Sequence, residues 1–206
     1  MLKFADHFVH SSIAKKDGTD CVRVVKAEEK LLDFDADTYA LLEGVQFHNG
    51  VIEADVKSSL LPDAPDYARG FIGFAFRIQP DDSAFESLYI RPTNGKRMTD
   101  DPVRLAHAVQ YFNYPEHTFA WFRENHITAY EAEADIALDE WIHLKAVIED
   151  EKAVFYINDM THPVLSVDPM YMGRDACGGV GLFVDIGTEG WFRHITVRDL
   201  DGKTIV

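Results

Sequence analysis

Strict alternation of apolar and polar residues dominates this sequence and restricts its fold more than any other feature. In residues 50–58, GVIEADVKS, apolar side chains occupy every second position and mostly charged side chains lie between them. Successive side chains of a β-strand point to opposite faces, so this period of two is typical of a strand with one buried face. We predict further strands at residues 70–78, 85–92, 106–114, 119–125, 127–136, 140–150, 152–159, 178–186 and 190–200.

The predicted strands are short, rich in β-branched and aromatic residues, and separated by Gly, Pro, Asn and Asp. Only residues 101–107 and 168–176 have a composition that would accommodate a helical turn. The sequence therefore predicts an all-β protein, a two-sheet antiparallel β-sandwich of the jelly-roll type. The 206 residues contain no internal repeat, low-complexity tract or linker, so residues 1–206 are expected to form a single domain.

Two tight reversals and two long loops interrupt the strands. Asn49-Gly50 is a preferred pair for a β-hairpin, and the strands on either side of Asp150 and Glu151 predict a second hairpin. Residues 58–70 and 93–104 are longer and rich in Pro, Gly and charge. Long loops on a rigid sandwich often carry the binding site, so we expect these two to border it.

The charge of the chain argues against two classes of partner. Twenty basic residues against thirty-five acidic residues give a formal net charge of −15. Such a surface repels phosphate backbones and anionic lipids, so neither nucleic acid nor membrane is an expected partner. The sequence starts without a long apolar segment and has no later run of apolar residues long enough for a transmembrane helix. We therefore expect a cytoplasmic protein, or a secreted one if a leader has been removed.

One row of side chains stands out as a candidate binding surface. In residues 70–78, the row on the apolar face is core-like, whereas Gly73, Ala75 and Arg77 form the opposite face. In residues 85–92, Tyr89 and Arg91 likewise lie opposite the apolar side chains. If the two strands are neighbours, these rows match, and Arg77, Tyr89 and Arg91 line one open surface.

Arginine and tyrosine suit a hydroxylated, flat ligand. The guanidinium fork can bind vicinal hydroxyls or a sugar carboxylate, and tyrosine offers an apolar face with a hydroxyl at its edge. Arg77, Tyr89 and Arg91 are therefore predicted to bind sugar. The alternative is a lattice of arginine and glutamate over a solvated sheet, with Glu86 or Glu131 as the partner.

Neighbouring segments supply further binding candidates. Residues 106–114 contain His107, Gln110 and Tyr111, and residues 119–125 contain Trp121 and Arg123. His107 and Gln110 differ in parity, so only one of them can share a face with Tyr111. His107 adjoins the loop at residues 93–104, although a lone histidine is more often a hydrogen-bonded structural residue.

Carboxylates at alternate positions could supply acid and base catalysis. Glu131, Glu133 and Asp135 recur at every second residue and would project from one face of a strand about 7 Å apart. Glycoside cleavage uses two carboxyl groups roughly 5–10 Å apart across the bond. An alternative pair is Glu86 facing Glu131 across strands, and these two residues are our candidate catalytic residues. The competing interpretation of such acids is a solvated face.

The sequence predicts no metal or cofactor, with calcium as a minor alternative. Asp33, Asp35 and Asp37 begin like an EF-hand loop, but Thr38 stands where the loop needs glycine. Gly44 stands where it needs the bidentate glutamate. The two cysteines, far apart in sequence, do not predict a disulfide framework.

The order of the segments resembles the concanavalin A-like lectin/glucanase superfamily over the whole chain. These segments are GVIEADV, GFIGFAFR, FESLYIRPTNG, HAVQY, EWIHLKAVIEDEKAVFYIND and GGVGLFVDIGTEGWFRHITV. Three features are similar to laminin G-like jelly rolls: the EWIHL strand, the hairpin after it, and the closing GVGLF and WFRHITV segments. The AFR and FESLYIRP segments followed by AVQY resemble bacterial sugar-hydrolase domains that include the 3-keto-disaccharide hydrolase family. This resemblance implies a concanavalin A-like jelly roll with a carbohydrate on its concave face.

The expected function is therefore carbohydrate binding, with an oligosaccharide or sugar derivative as the partner. The protein could in addition be a glycoside hydrolase or lyase that acts on the bound sugar. A second interpretation is a non-catalytic interaction module of the laminin G type, whose concave face contacts a protein. A third is a homo-oligomer formed through an exposed sheet. A pocket with converging polar groups would favour sugar, whereas a flat apolar patch would favour protein.

Overall fold

Two antiparallel seven-stranded sheets form the protein in a computed structural model that describes residues 2–206. The strands are β1 (Phe4–His7), β2 (Val9–Lys16), β3 (Thr19–Lys26), β4 (Tyr39–Leu42), β5 (Gly50–Leu60), β6 (Ile72–Ile78), β7 (Phe85–Ile90), β8 (Val109–Tyr114), β9 (Glu131–Ala132), β10 (Ile142–Glu149), β11 (Lys152–Ile157), β12 (Leu165–Val167), β13 (Gly179–Val184) and β14 (Thr188–Arg198). Two short α-helices, α1 (Pro102–Leu105) and α2 (Phe119–Glu124), and the 3-10 turns Glu28–Lys30 and Pro92–Asn94 lie in the connections.

The strand order is that of a jelly roll. Sheet A has the order β1-β4-β13-β6-β7-β8-β9, and sheet B has the order β12-β11-β10-β5-β14-β3-β2. The chain passes repeatedly from one sheet to the other, as between β4, β5 and β6. The predicted all-β, two-sheet antiparallel sandwich is confirmed.

Alternating side chains of both sheets build the core between them. Ile72 and Phe74 of β6 and Leu88 and Ile90 of β7 are fully buried, as the alternation predicts. A Cβ atom on Gly190 of β14 would lie 3.2 Å from the side chain of Ile72, so these side chains point toward sheet B. Each such burial stabilises the fold by roughly 1.5–3 kcal/mol relative to exposure.

Residues 119–136 do not form the two predicted strands. Residues 119–124 form α2, in which Phe122 is the buried residue, because consecutive apolar residues there do not alternate. From residues 127–136, only Glu131–Ala132 pairs as a strand, at the edge of sheet A. The following residues hydrogen-bond to a loop instead, since the Ala134 carbonyl accepts from the backbone N–H of Lys96.

The Asn49-Gly50 reversal is not a hairpin, which corrects a second prediction. The strand before it, β4, pairs within sheet A, whereas β5 pairs within sheet B, so the turn carries the chain between sheets. A Cβ atom on Gly50 would lie 2.0 Å from the Arg198 carbonyl oxygen, so the close approach of β14 requires glycine there. The predicted hairpin at residues 150–151 does form, between β10 and β11.

Other short elements differ in part from the prediction. Residues 102–105 form the helical turn predicted at 101–107, whereas residues 168–176 form no helix. Strands β1 to β4 and β12 were not among the predicted segments.

Both cysteines are free, with Cys21 buried and Cys177 exposed. Within residues 2–206, no helix is both long enough and apolar enough to cross a bilayer.

Candidate functional site

The face of sheet A that points away from sheet B is covered rather than open. Tyr89 lies on this face beside Gln110, its partner in β8, and both are buried. The Tyr89 hydroxyl donates to Asp35 Oδ1 at 3.3 Å, and the backbone N–H of Phe119 donates to Asp35 Oδ2 at 2.5 Å. The connections that contain Asp35 and Phe119 therefore meet over the Tyr89 end of the face.

A cavity of about 290 Å³ remains at this end of the face. Both loops expected to border the site, residues 58–70 and 93–104, contribute to its wall. The rest of the wall consists of residues before β4, residues of α2, and Phe71, Arg91 and His107. The lining residues are Phe34, Asp35, Tyr67, Arg69, Phe71, Arg91, Asn94, Val103, Arg104, His107, Phe119 and Arg123.

Arg91, the residue directly after β7, lines the cavity and is held by several hydrogen bonds. Its Nη2 donates to the Tyr89 hydroxyl at 2.6 Å and also to Gln110 Oε1. Its Nη1 donates to the His107 carbonyl oxygen at 3.2 Å. The guanidinium carbon lies 4.6 Å from the centre of the Phe119 ring. Arg91 and Tyr89 thus occupy one face, as predicted, and Gln110 joins them.

Glu131 and His107 lie beside Arg91. Glu131 Oε1 is 3.5 Å from Arg91 Nη1 and 2.7 Å from His107 Nδ1, but the latter contact lacks hydrogen-bond geometry. The Glu131 side chain is 4% exposed, and its Oε1 atom is buried. It borders a neighbouring groove together with His107 and Arg123 rather than the main cavity. Gln110 Nε2 is also buried without a hydrogen-bond partner.

Asp35 is the carboxylate that lines the cavity. Burial raises its pKa from the ordinary 3.8 to about 6, with Asp185 adding to the rise and Arg91 opposing it. Asp185 Oδ2 accepts the backbone N–H of Asp35 at 3.0 Å, and Asp185 Oδ1 lies 2.5 Å from Lys26 Nζ. From the sequence, Asp35 was expected only as part of a calcium-like loop, because its contact with Tyr89 is long-range.

Three arginines of the cavity have no acidic partner. Within residues 2–206, Arg69, Arg104 and Arg123 form no salt bridge, whereas each of the other seven arginines has a carboxylate oxygen within 3.5 Å. Arg123 was predicted as a binding residue, and its guanidinium lies 4.2 Å from the Phe119 ring centre. Arg69 and Arg104 were missed, although both lie in the loops expected to border the site.

Arg77 does not share an open surface with Tyr89 and Arg91, so that prediction is wrong. Arg77 has φ 55° and is fully buried. Its Nη1 lies 3.3 Å from Glu86 Oε2, and its Nη2 donates to the Asp150 carbonyl oxygen at 2.6 Å. Because these partners lie near the opposite end of β7 from Arg91, Arg77 anchors turns rather than lining the cavity.

Glu86 and Tyr111 also lie in the interior. Glu86 is on the core side of β7 with Leu88, and Glu86 Oε1 accepts the Tyr111 hydroxyl at 2.9 Å and the backbone N–H of Met172 at 3.0 Å. Burial raises the pKa of Glu86, and the Arg77 guanidinium opposes that rise. Glu86 therefore does not face Glu131, and the predicted catalytic pair is not assembled.

The remaining sequence candidates lie outside the cavity. Trp121 packs in an aromatic cluster, with ring centres 4.6 Å from His117 and 5.7 Å from Tyr171. Glu133 and Asp135 are exposed and pair with Lys96 and Arg97 respectively. The alternative of a solvated acidic face describes these two carboxylates.

The aspartates of the calcium-like segment have separate partners. Asp37 Oδ2 is 2.9 Å from His7 Nε2, and its Oδ1 is 3.4 Å from Lys30 Nζ. Asp35 instead accepts from Phe119 and Tyr89. In the described part of the chain, no three His, Cys, Asp or Glu side chains converge as metal ligands.

Solved structures of similar fold include a carbohydrate-binding module and a protein with a galectin-like fold. The carbohydrate-binding module CBM66 from Bacillus subtilis matches with a TM-score of 0.59 and 15% identity, over 90% of each chain. A candidate glycosyl hydrolase from Parabacteroides distasonis matches with a TM-score of 0.53 and 14% identity, over 96% of this chain and all of that one. A Bacillus subtilis protein with a galectin-like fold matches with a TM-score of 0.54 and 12% identity, over 92% and 86% of the two chains.

The sequence itself matches no protein-family model and no curated protein. At these identities, the structural likeness shows the class of fold alone, a two-sheet jelly-roll β-sandwich.

Proposed function

We propose that this protein binds a carbohydrate, either an oligosaccharide or a sugar derivative, in the cavity at the Tyr89 end of sheet A. The observation that carries the proposal is the combination of aromatic rings and guanidinium donors around one space of about 290 Å³. Aromatic rings suit the apolar face of a sugar ring, and arginine donors suit its hydroxyls. The likeness in fold to a carbohydrate-binding module and to a candidate glycosyl hydrolase supports the same function.

Binding without bond cleavage is the form that the carboxylates favour. The common glycosidase mechanisms use two carboxyl groups that flank the glycosidic bond. Among the described residues, Asp35 is the one carboxylate that lines the cavity. Glu86 lies in the interior, and Glu131 lies beside Arg91 and His107 in a neighbouring groove.

The cavity also favours a small polar ligand over a protein partner. A laminin G-like interaction module would present a broad apolar patch, whereas here guanidinium and carboxyl groups converge on a concave space. The rim nevertheless has two exposed aromatic residues, Phe34 and Tyr67, whose ring centres are 5.3 Å apart. They are positioned to contact the part of a sugar that extends from the cavity.

Thermal-shift and calorimetric titration against a panel of mono- and oligosaccharides tests the proposal. A ligand that binds only the folded state raises the melting temperature. We expect binding to weaken in Tyr67→Ala and Phe34→Ala, and to persist in Ile13→Ala, a matched control because Ile13 is an exposed apolar residue on β2. The proposal fails if no sugar of the panel binds, or if Tyr67→Ala and Phe34→Ala both leave the affinity unchanged.

A further inference from the structure

Positive charge is concentrated in the cavity of a strongly acidic protein. The net charge of the chain is −15, yet four of its ten arginines line this one space. Arg91 has Glu131 and Asp35 nearby, but Arg69, Arg104 and Arg123 have no salt-bridge partner within residues 2–206. A ligand in the cavity therefore meets a local charge opposite in sign to that of the protein as a whole.

The unpaired arginines also keep free hydrogen-bond donors. Arg69 uses Nη1 alone, which donates to the carbonyl oxygens of Asp66 and Ala68 at 2.7 and 2.8 Å. Its Nε and Nη2, the pair that binds an oxyanion side-on, have no acceptor among residues 2–206. Arg104 is fixed through Nε to Asn94 Oδ1 at 3.1 Å and through Nη2 to the Thr93 carbonyl oxygen, and its Nη1 has no acceptor in the described part of the chain.

Like charges have been brought together here at an energetic cost. Burial lowers the pKa of Arg69, and the neighbouring guanidinium groups of Arg104 and Arg91 lower it further. Backbone and amide oxygens hold Arg69 and Arg104 in place without neutralising them. An arrangement of this kind is relieved when an anion enters between the cations.

We infer that the bound carbohydrate is acidic, and that its oxyanion group lies between Arg69 and Arg104 with Arg123 at the mouth of the cavity. This inference rests on the proposed function, because it specifies the class of sugar that the same cavity accepts. The sugar ring would lie against Phe119, an aromatic wall residue that already contacts Arg91 and Arg123. A carboxylate, as in a uronic acid, and a sulfate or phosphate ester share the required chemistry.

Calorimetric titration with matched pairs of sugars tests the inference. Glucuronate is compared with glucose, galacturonate with galactose, and oligogalacturonides with galacto-oligosaccharides, while glucose 6-sulfate and glucose 6-phosphate distinguish the kinds of oxyanion. We expect each binding acid to have at least about tenfold higher affinity than its neutral counterpart, the scale of one charge-assisted hydrogen bond. The preference should decrease as salt increases.

Charge-removing variants locate the effect. Arg69→Gln and Arg104→Gln should each weaken binding of the acid more than binding of its neutral counterpart, which reduces the preference for the acid about tenfold. Arg97→Gln is the matched control, because this substitution removes the same charge at a distance from the cavity. Arg97 is exposed and pairs with Asp135 and Glu140. Equal losses in all three variants would attribute the effect to net charge and overturn the assignment.

The outcomes separate the two proposals. If neutral sugars bind as tightly as their acids in a Tyr67-dependent manner, the inference is overturned and the proposed function stands. If acetate, sulfate or inorganic phosphate binds as tightly as the corresponding sugar acid, the anion site stands and carbohydrate binding is contradicted. If neither sugar acids nor neutral sugars bind, both proposals fail.

Discussion

Arg91 and Tyr89, two residues apart in sequence, are joined by a hydrogen bond of 2.6 Å from the guanidinium Nη2 to the phenol oxygen. The same phenol donates to Asp35 Oδ1 at 3.3 Å. Tyr89 therefore connects the Arg91 guanidinium and the Asp35 carboxyl group, both of which line the cavity. Its own side chain is buried, so it positions both groups without lining the cavity.

Replacing Tyr89 with phenylalanine should lower the free energy of unfolding by about 1–3 kcal/mol, because a buried guanidinium and a buried carboxyl group each lose a partner. Chemical denaturation of the purified protein measures this difference. Tyr67→Phe is the control, since Tyr67 is 40% exposed, and its change should stay within about 0.5 kcal/mol. Equal stability of Tyr89→Phe and the parent would contradict the role given to this hydroxyl.

Removing one partner of the Arg77–Glu86 pair should be strongly destabilising. Arg77→Met leaves the Glu86 carboxylate buried beside Tyr111, at a cost of about 3–5 kcal/mol. Denaturation measures the cost, and sugar titration of the folded variant at low temperature should give the affinity of the parent. A stable Arg77→Met variant that no longer binds would instead return Arg77 to the binding site.

The pKa of Asp35 predicts how stability depends on pH. Its folded-state pKa of about 6 exceeds its ordinary 3.8, so between these values the folded state binds the proton and the unfolded state releases it. This group therefore favours folding increasingly as pH falls from about 6 toward 4, by up to about 3 kcal/mol. The difference in unfolding free energy between Asp35→Asn and the parent, measured from pH 4 to 7, should show this slope. A constant difference would refute it.

Binding of an acidic sugar should be linked to a proton at Asp35. A negative ligand beside Asp35 raises its pKa further, so affinity should increase as pH falls from 7.5 to 5.5. The other charged groups that face Asp35 are Arg91 and Asp185, the latter paired with Lys26. Calorimetry in buffers of different ionisation enthalpy measures the proton uptake. Asp35→Asn should abolish this uptake, and its persistence in that variant would assign the proton to another group.

The sandwich was predictable because burial of a single face enforces alternation along strands such as β5, β10 and β11. Arg77 shows where that reasoning fails. A register shift in the pairing of β6 with β13 lies at this residue, so Phe76 opposes Val180 and Ile78 opposes Gly179. An extra residue in a strand reverses the faces of everything after it. Neither this bulge nor its positive φ has a signature in the alternating pattern of residues 70–78.

The cavity was predictable only in outline. The loops at residues 58–70 and 93–104 were recognisable from their length and composition, but loops have no periodicity that reveals which side chains converge. Arg69 and Arg104 become neighbours only through the folded paths of those loops. Asp35 is brought to Tyr89 by a contact across 54 residues of sequence, which no local pattern encodes.

The sheets form the core and the loops form the cavity, so the residues that line the cavity can change in evolution without changing the core. All of the lining side chains, including Arg91 directly after β7, belong to connections whose backbone is not part of either sheet. Substitutions at Tyr67, Arg69 or Arg104 can alter which ligand binds, while the hydrophobic core that stabilises the fold stays the same. One scaffold of this kind can accordingly diversify into receptors for many different molecules by drift in a few surface turns.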